Sequence, residues 1–276
     1  VRAERYWREA SRVSQEALRR GALVPLATEE FLDPRLAPFR LRTLHGLPPR
    51  HLRESGPRPN PFLPWEPLLQ VDQLEGGHVV LLNKYPVQSC HLLLITGEWK
   101  PQQGWLEGSD WRAVAKVAAD TGGLWFFNSS ALAGASQPHR HLQLLPRQGD
   151  EPSCPLAEAI AQQLRQEHPP WPWAYRISPR LDPLGCTDLA EIYASHCRDL
   201  GLGEPGLQDQ PLHPYNLLFD DRWFLTVRRI REHCAGFSVN GLGFAGYLLG
   251  THRSDLNWLQ QKGPWALLEA VAAPAG

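Results

Sequence analysis

The chain has 276 residues, 42% of them hydrophobic, with 28 basic against 29 acidic side chains and a formal net charge of -1. That length buries one large core or two modest ones, and a balance so near neutrality leaves no broad cationic footprint for nucleic acid or an anionic membrane. No apolar run approaches a membrane span, and the cysteines at 90, 154, 186, 197 and 234, odd in number and without a Cys-x-x-Cys pair, exclude a regular zinc ribbon and disfavour a disulfide framework.

Residues 2 to 20 predict a helix with Tyr6, Ala10, Val13 and Ala17 on one stripe that packs against the body. This segment lacks an apolar signal region, and Glu4, Glu9 and Glu16 among its arginines argue against a transit peptide, so the cytoplasm is the expected place. Residues 45 to 67, rich in Pro and Gly, predict an extended loop carrying Arg50, Arg53 and Arg58. Gly77 to Leu82 and His91 to Thr96 read as paired strands. Asp110 to Gly122 reads as a helix capped by Ser109 or Asp110 and closed by Gly122-Gly123, and Leu124 to Phe127 with Arg140 to Leu145 complete a first sheet. Cys90, ahead of an apolar strand, reads as a small buried hydrophobe.

Beyond Pro146, a helix from about 155 to 167 places Leu156, Ile160 and Leu164 on its buried stripe, and another from about 187 to 200 buries Leu189, Ile192, Tyr193 and Leu200. Strands are expected at 215 to 219, 223 to 229 and 236 to 240. Helices and strands mix without a repeating βαβ pattern, which favours α+β with antiparallel sheet. A faint repeat accompanies this order: Asn128 to Gly134 and Asn240 to Gly246 share Asn, Ala and Gly at the same offsets, and Asn216 to Arg228 echoes Asn83 to Thr96.

The chemistry concentrates in residues 128 to 146. His139, His141 and Gln143 alternate, so a strand projects all three from one face while Arg140, Leu142 and Leu144 take the other. Gly134 permits close backbone approach, and Ser129, Ser130, Ser136 and Gln137 supply donors suited to phosphate oxygens. Two such histidines are also what satisfied surface residues or two metal ligands look like. A metal, however, needs a third and fourth ligand, and no neighbouring Cys, Asp or Glu shares that face. Pro138 stiffens the start of the strand, and the combination reads as a positioned imidazole nucleophile for phosphate ester chemistry.

This segment resembles the His-x-His-x-Gln motif of the histidine triad superfamily, in the branch that holds galactose-1-phosphate uridylyltransferase and the diadenosine tetraphosphate phosphorylases, or ATP adenylyltransferases. The phosphorylases match better: their aromatic, Asn-Ser, small-residue stretch, Gly-Ala-Ser-Gln-Pro-His, basic residue and His-Leu-Gln are similar to Phe127 through Gln143. Asn60-Pro-Phe62-Leu-Pro64, Leu82-Asn83-Lys84-Tyr85-Pro86 before His91-Leu-Leu-Leu94, Pro214 to Leu218 and Asn240 to Gly246 extend the likeness from about residue 60 to 250. The absence of a Cys-x-x-Cys zinc site also favours the phosphorylase branch. The resemblance implies an α+β fold, a histidine-triad-like antiparallel sheet with helices, in two pseudo-repeated halves. Residues 1–150 would hold the triad. Residues 151–276 would hold the same fold without it, since Tyr247-Leu-Leu-Gly-Thr-His-Arg stands where the first half has His-Arg-His-Leu-Gln.

What the resemblance implies for function is a nucleotidyltransferase cleaving diadenosine tetraphosphate with inorganic phosphate to ADP and ATP, reversibly, through a nucleotidyl group on His141. A backbone carbonyl at His139 would orient the ring, and Gln143 would donate to a phosphoryl oxygen that gains charge. Ser136 and Gln137 would hold phosphate oxygens, with Asn128, Ser129, Ser130 and Gly134 behind them. Lys84 would neutralise the polyphosphate, although a solvated turn lysine fits as well. Phe62 and Leu63 are candidates for an apolar wall against the base and Asn60 or Asn83 for polar contacts to base or ribose, although a proline-bounded loop that packs its Phe into the core explains the same residues. The arginines of the 45–67 loop could reach over the nucleotide, although such a loop is more often just solvated. His91 reads either as a residue behind the site or as a satisfied histidine. No tightly bound cofactor or protein-held metal is expected, magnesium entering only with the nucleotide. The expected partners are small nucleotides and phosphate, with no nucleic acid and no membrane, for a monomeric chain. Transfer to sulfate, water or a sugar phosphate, or a non-catalytic nucleotide-binding regulator, are the alternatives.

Overall fold

A computed structural model describes residues 2–46, 60–147, 149, 151–182 and 187–275. Arg50, Arg53, Arg58 and Cys186 lie outside the described residues. The chain order begins with α1 (Arg5–Arg19), β1 (Thr28–Phe31), β2 (Arg40–Leu44), β3 (Gln70–Gln73), β4 (His78–Leu82), β5 (Leu92–Thr96), α2 (Gly108–Thr121), β6 (Leu124–Asn128) and β7 (His141–Leu145). It continues through α3 (Ala157–Leu164), β8 (Tyr175–Pro179), α4 (Thr187–Asp199), β9 (Tyr215–Phe219), β10 (Trp223–Arg228), β11 (His233–Cys234), β12 (Phe237–Ser238), β13 (Tyr247–Gly250), α5 (Leu256–Lys262) and α6 (Pro264–Val271).

The fold is α+β. Its main sheet has eight strands in the order β3-β4-β5-β7-β6-β9-β10-β8, and every neighbouring pair is antiparallel. Strand alternation divides the side chains of β6 and β7 between two cores. Trp125, Phe127, Leu142 and Leu144 join Tyr6, Ala10, Val13 and Ala17 of α1 and Val114 and Val117 of α2, while Leu124, Phe126 and Leu145 join Ile160, Leu248, Leu259 and Leu268 on the other side. A smaller cluster of Phe62, Val79, Leu81, Leu93 and Ile95 lies beside the second core. Through the pairing of β6 with β9, strands before residue 150 and after it form one continuous sheet, and both large cores draw on both parts of the chain. The two Asn-to-Gly segments take the same local course, a short 3₁₀ turn and then a left-handed glycine, Gly134 at φ +86° and Gly246 at φ +95°. They lead to different places, since β7 joins the main sheet and β13 a separate one.

That second sheet, β1-β2-β13, departs from the antiparallel expectation because β13 runs parallel to β2. No hairpin constrains strands some two hundred residues apart, so their direction follows from how the chain crosses the body. The strand expected at 236–240 shrinks to Phe237–Ser238 against β11. Helix α2 starts at Gly108, with Glu107 at the cap, and Asp110 accepts the Glu107 backbone N–H at 2.8 Å. The predicted cap thus acts from inside the first turn. The helix expected from 155 to 167 is shorter, α3, where Gln166 at φ +57° breaks the helical path. Among the described residues no helix is long and apolar enough to cross a membrane.

Candidate active site

Strand β7 carries the site because its alternation buries Leu142 and Leu144 and turns His141 and Gln143 to the opposite face. The His141 ring is 2% exposed. Its Nδ1–H donates to the His139 carbonyl at 2.8 Å, which leaves the lone pair on Nε2. No hydrogen bond among the described residues engages Nε2, and that atom is not sealed from solvent. Burial pushes the His141 pKa from 6.5 down to about 4, so the ring is a neutral base near pH 7. The Phe62 ring lies against it at a centroid distance of 5.5 Å.

His139 is fully committed. Its Nε2–H donates to the Thr96 carbonyl at 2.7 Å, with Thr96 Oγ1 3.0 Å from the same nitrogen, and its Nδ1 accepts from Asn60 Nδ2 at 2.9 Å. Phe62 and Trp99 meet the ring edge-on at 5.6 and 5.4 Å. With both nitrogens occupied, His139 serves the site through its backbone carbonyl. Asn60, expected as a polar contact to base or ribose, is placed against this same ring. Its Nδ2 holds His139 and its Oδ1 accepts the Phe62 N–H at 3.0 Å, so both ends of the amide are used inside the protein.

Gln143 is oriented by a relay. Asn83 Nδ2 donates to His91 Nδ1 at 3.1 Å, and His91 Nε2–H donates to Gln143 Oε1 at 3.0 Å. With the oxygen spoken for, the Gln143 NH₂ is left as a donor with no hydrogen bond among the described residues. Burial lowers the His91 pKa to about 4, which keeps this ring a one-proton link. Asn83, expected on the nucleotide, instead spends its Oδ1 on the Tyr85 N–H at 3.2 Å. His91, left open between two readings, becomes the residue that sets which way the Gln143 amide points.

The expected phosphate cradle divides. Asn128 and Ser129 are buried and turned away: Asn128 Oδ1 accepts from Asn216 Nδ2 and from the Gly241 N–H, both at 2.8 Å, and Ser129 Oγ accepts the Tyr215 N–H at 2.8 Å. The cause is the Asn128↔Asn216 register between β6 and β9, which makes these side chains cross-strand partners. Gly134 is needed for close approach to protein, since a Cβ there would stand 2.6 Å from Asn240 Cβ and 2.7 Å from Asn240 Cα. Ser136 is exposed, Gln137 and Ser130 are half-buried, and the Ser130 Oγ has no hydrogen-bond partner among the described residues. Lys84 is exposed in the turn after β4, its Nζ 5.7 Å from the Tyr85 ring centroid.

Several supporting residues receive no role from the sequence pattern, among them Thr96, Trp99, Gln102, Arg229 and Asn216, the last standing only in the family-like and repeat segments. The buried Arg229 gives its protons to carbonyls of Arg231 and Val239 at 2.8 Å and of Val271 at 3.1 Å, and to Asn216 Oδ1. Burial holds its pKa down at about 9. It thereby backs the turn that ends at Gly134. On the opposite face of β7, Arg140 is buried against Asp110 at 3.1 Å, and Asp110 also binds His78 Nε2 at 2.8 Å. Past the end of β7 a cavity of about 500 Å³ opens among Arg40, Arg42, Gln88, Ser89, Arg147 and Tyr247; His141 does not line it. Among the described residues no three His, Cys, Asp or Glu converge as a metal-holding group.

Residues 1–162 match the family model described as Ap4A phosphorylase N-terminal domain, and residues 169–274 the one described as ATP adenylyltransferase C-terminal domain. The chain is 27% identical over 237 residues to diadenosine 5',5'''-P1,P4-tetraphosphate phosphorylase 2 of Saccharomyces cerevisiae, covering 73% of this chain and 72% of that protein. It is 32% identical over 93 residues to Protein APA1 of the same yeast, covering 30% of this chain and 29% of that one. The crystal structure of yeast Ap4A phosphorylase Apa2 in complex with AMP superposes with a TM-score of 0.75 at 21% identity, covering 99% of both chains. The same yeast protein in complex with Ap4A gives 0.71 at 20% identity over 97% of both. At such identities the superpositions speak for the fold.

Proposed function

The chain belongs to the Ap4A phosphorylase family, and on that premise we propose that it cleaves diadenosine tetraphosphate with inorganic phosphate to ADP and ATP, reversibly, with His141 Nε2 as the atom that carries the nucleotide between the two steps. The observation that carries this reading is the His141 ring itself, neutral, held by Nδ1–H on the His139 carbonyl, with Nε2 left without a hydrogen bond among the described residues.

The Nε2 lone pair attacks the α-phosphorus, the bond to the bridging oxygen breaks, and ATP leaves with that electron pair. A phosphate oxygen then attacks the same phosphorus, the P–N bond breaks, and ADP is released while Nε2 regains its pair. During the first step the ring gains positive charge and the His139 carbonyl stabilises it through the Nδ1–H without removing the proton. The Gln143 amide donates to the phosphoryl oxygen, a contact worth about 3 kcal/mol in a preorganised site. Phe62, with Leu81 and Leu93 in one apolar cluster and its ring against His141, offers the wall for a base. Ser130, Ser136, Gln137 and Lys84 are the remaining candidates for the phosphates, and magnesium, where it takes part, comes with the polyphosphate. The protein acts as a cytoplasmic monomer in this reading.

Labelled diadenosine tetraphosphate, with and without phosphate, tests it. Phosphate-dependent ADP with equimolar ATP is the expected result; AMP would move the acceptor to water, and binding without turnover would refute catalysis. Quenched protein should carry one nucleotide on nitrogen, labile in acid and stable in base, absent from His141→Ala.

A further inference from the structure

The ladder between β6 and β7 stops short of the nucleophile. Paired residues run Leu124↔Leu145, Trp125↔Leu144 and Phe126↔Gln143, while β6 itself continues to Asn128 against β9. The gap at Asn128 and His141 is filled by one side chain. Gln102 Oε1 accepts the His141 backbone N–H at 2.8 Å, and Gln102 Nε2 donates to the carbonyls of Asn128 at 2.7 Å and His141 at 3.2 Å. This carboxamide is 3% exposed.

The backbone around it works on the same segment. Arg140 N–H donates to the Lys100 carbonyl and Gln102 N–H to the Pro138 carbonyl, both at 2.8 Å, about an isolated bridge between Pro101 and His139. The Arg140 N–H belongs to the peptide unit whose carbonyl, on His139, takes the His141 Nδ1–H. Residues 100 to 102 therefore grip the orienting peptide at one end and the nucleophile's own main chain at the other.

We propose that Gln102 is a positioning residue for nucleotidyl transfer, a side-chain substitute for the missing ladder that sets where His141 Nε2 stands. This rests on the reading of His141 as the nucleophile. The task needs one acceptor and one donor at fixed separation. A carboxylate of the same shape has only acceptors and turns one of them on two carbonyls, whereas a protonated carboxyl restores a donor. A misplacement of about 1 Å at a reacting atom costs roughly 10²-fold in rate.

The test follows formation of the labelled intermediate in single turnover for the wild type, Gln102→Met, Gln102→Glu and Gln163→Met. Gln163 is a comparably buried amide bonded to the Pro169 carbonyl and the Tyr175 hydroxyl, away from the site. Both Gln102 variants should slow intermediate formation about 10²-fold with KM within about threefold, because Gln102 itself does not face phosphate. Gln102→Glu should recover as the pH falls from about 8 to about 6 while the wild type stays flat, since a carboxylate held among carbonyls takes a proton readily. Gln163→Met should lose stability and keep its rate. If Gln102→Met does not fold, the pH recovery of Gln102→Glu decides alone. Rates within threefold of wild type, or a Gln102→Glu loss that ignores pH, overturn the proposal. A wild type that never becomes labelled overturns the nucleophile reading instead.

Discussion

Acidification from about pH 7.5 to about pH 5 should strip stability from this protein before it strips the nucleophile of its lone pair. His91, His141 and His196 are 8%, 2% and 2% exposed, and burial pushes each pKa from 6.5 to about 4. His196 sits between the Ser178 and Thr226 hydroxyls, both at 2.9 Å, far from the site. Because the folded values lie below the unfolded one, the unfolded chain binds more protons between pH 6.5 and 4. The stabilisation is complete above 6.5 and is lost as the pH falls towards 4. At pH 5 each ring then costs about 2 kcal/mol relative to pH 7.5, about 6 kcal/mol for the three, against a typical total of about 5–15 kcal/mol. Urea unfolding at the two pH values, followed by the fluorescence of the 11 tryptophans, measures the difference. His196→Gln should reduce the loss by about a third and form the intermediate at the wild-type rate. Per folded molecule, intermediate formation should stay flat across this range, because His141 remains neutral. A change in unfolding free energy below about 1 kcal/mol, or an NMR titration of His141 centred near its ordinary value, would refute the reasoning.

His91→Phe removes the donor that holds Gln143 Oε1. One orienting hydrogen bond is worth about 1 kcal/mol, so kcat should fall several-fold, whereas Gln143→Ala should cost about 10²–10³-fold; equal losses in steady-state kinetics would contradict the relay. Gly134→Ala sets a Cβ against the Asn240 backbone at a φ of +86° and should destabilise by about 2–4 kcal/mol in thermal unfolding, an unchanged Tm counting against the packing argument. Asn216→Leu leaves Asn128 Oδ1, the Ala133 carbonyl and Arg229 short of a buried partner. About 3–5 kcal/mol should be lost to urea denaturation, and a loss under about 1 kcal/mol would show that the network relaxes.

Local periodicity alone determined the α1 stripe of Tyr6, Ala10, Val13 and Ala17, the β4–β5 pair, and the side of β7 on which His141 and Gln143 stand, because burial of one face forces alternation whatever the partner. The same local logic could tell that the residues around Gly134 were small and polar, yet not which way they point. Only the tertiary structure decided that Asn60 grips His139, that Asn83 reaches Gln143 through His91, that Asn128 and Ser129 face the second half of the chain, and that Gln102 completes the strand at the nucleophile. Each of those side chains carries donors and acceptors that suit a phosphate as well as a protein group, so its identity fixes a capacity and not a partner. The partners come together only when β6 pairs with β9 and the segment after β5 folds back along residues 138 to 141, and those approaches span separations that no periodicity records.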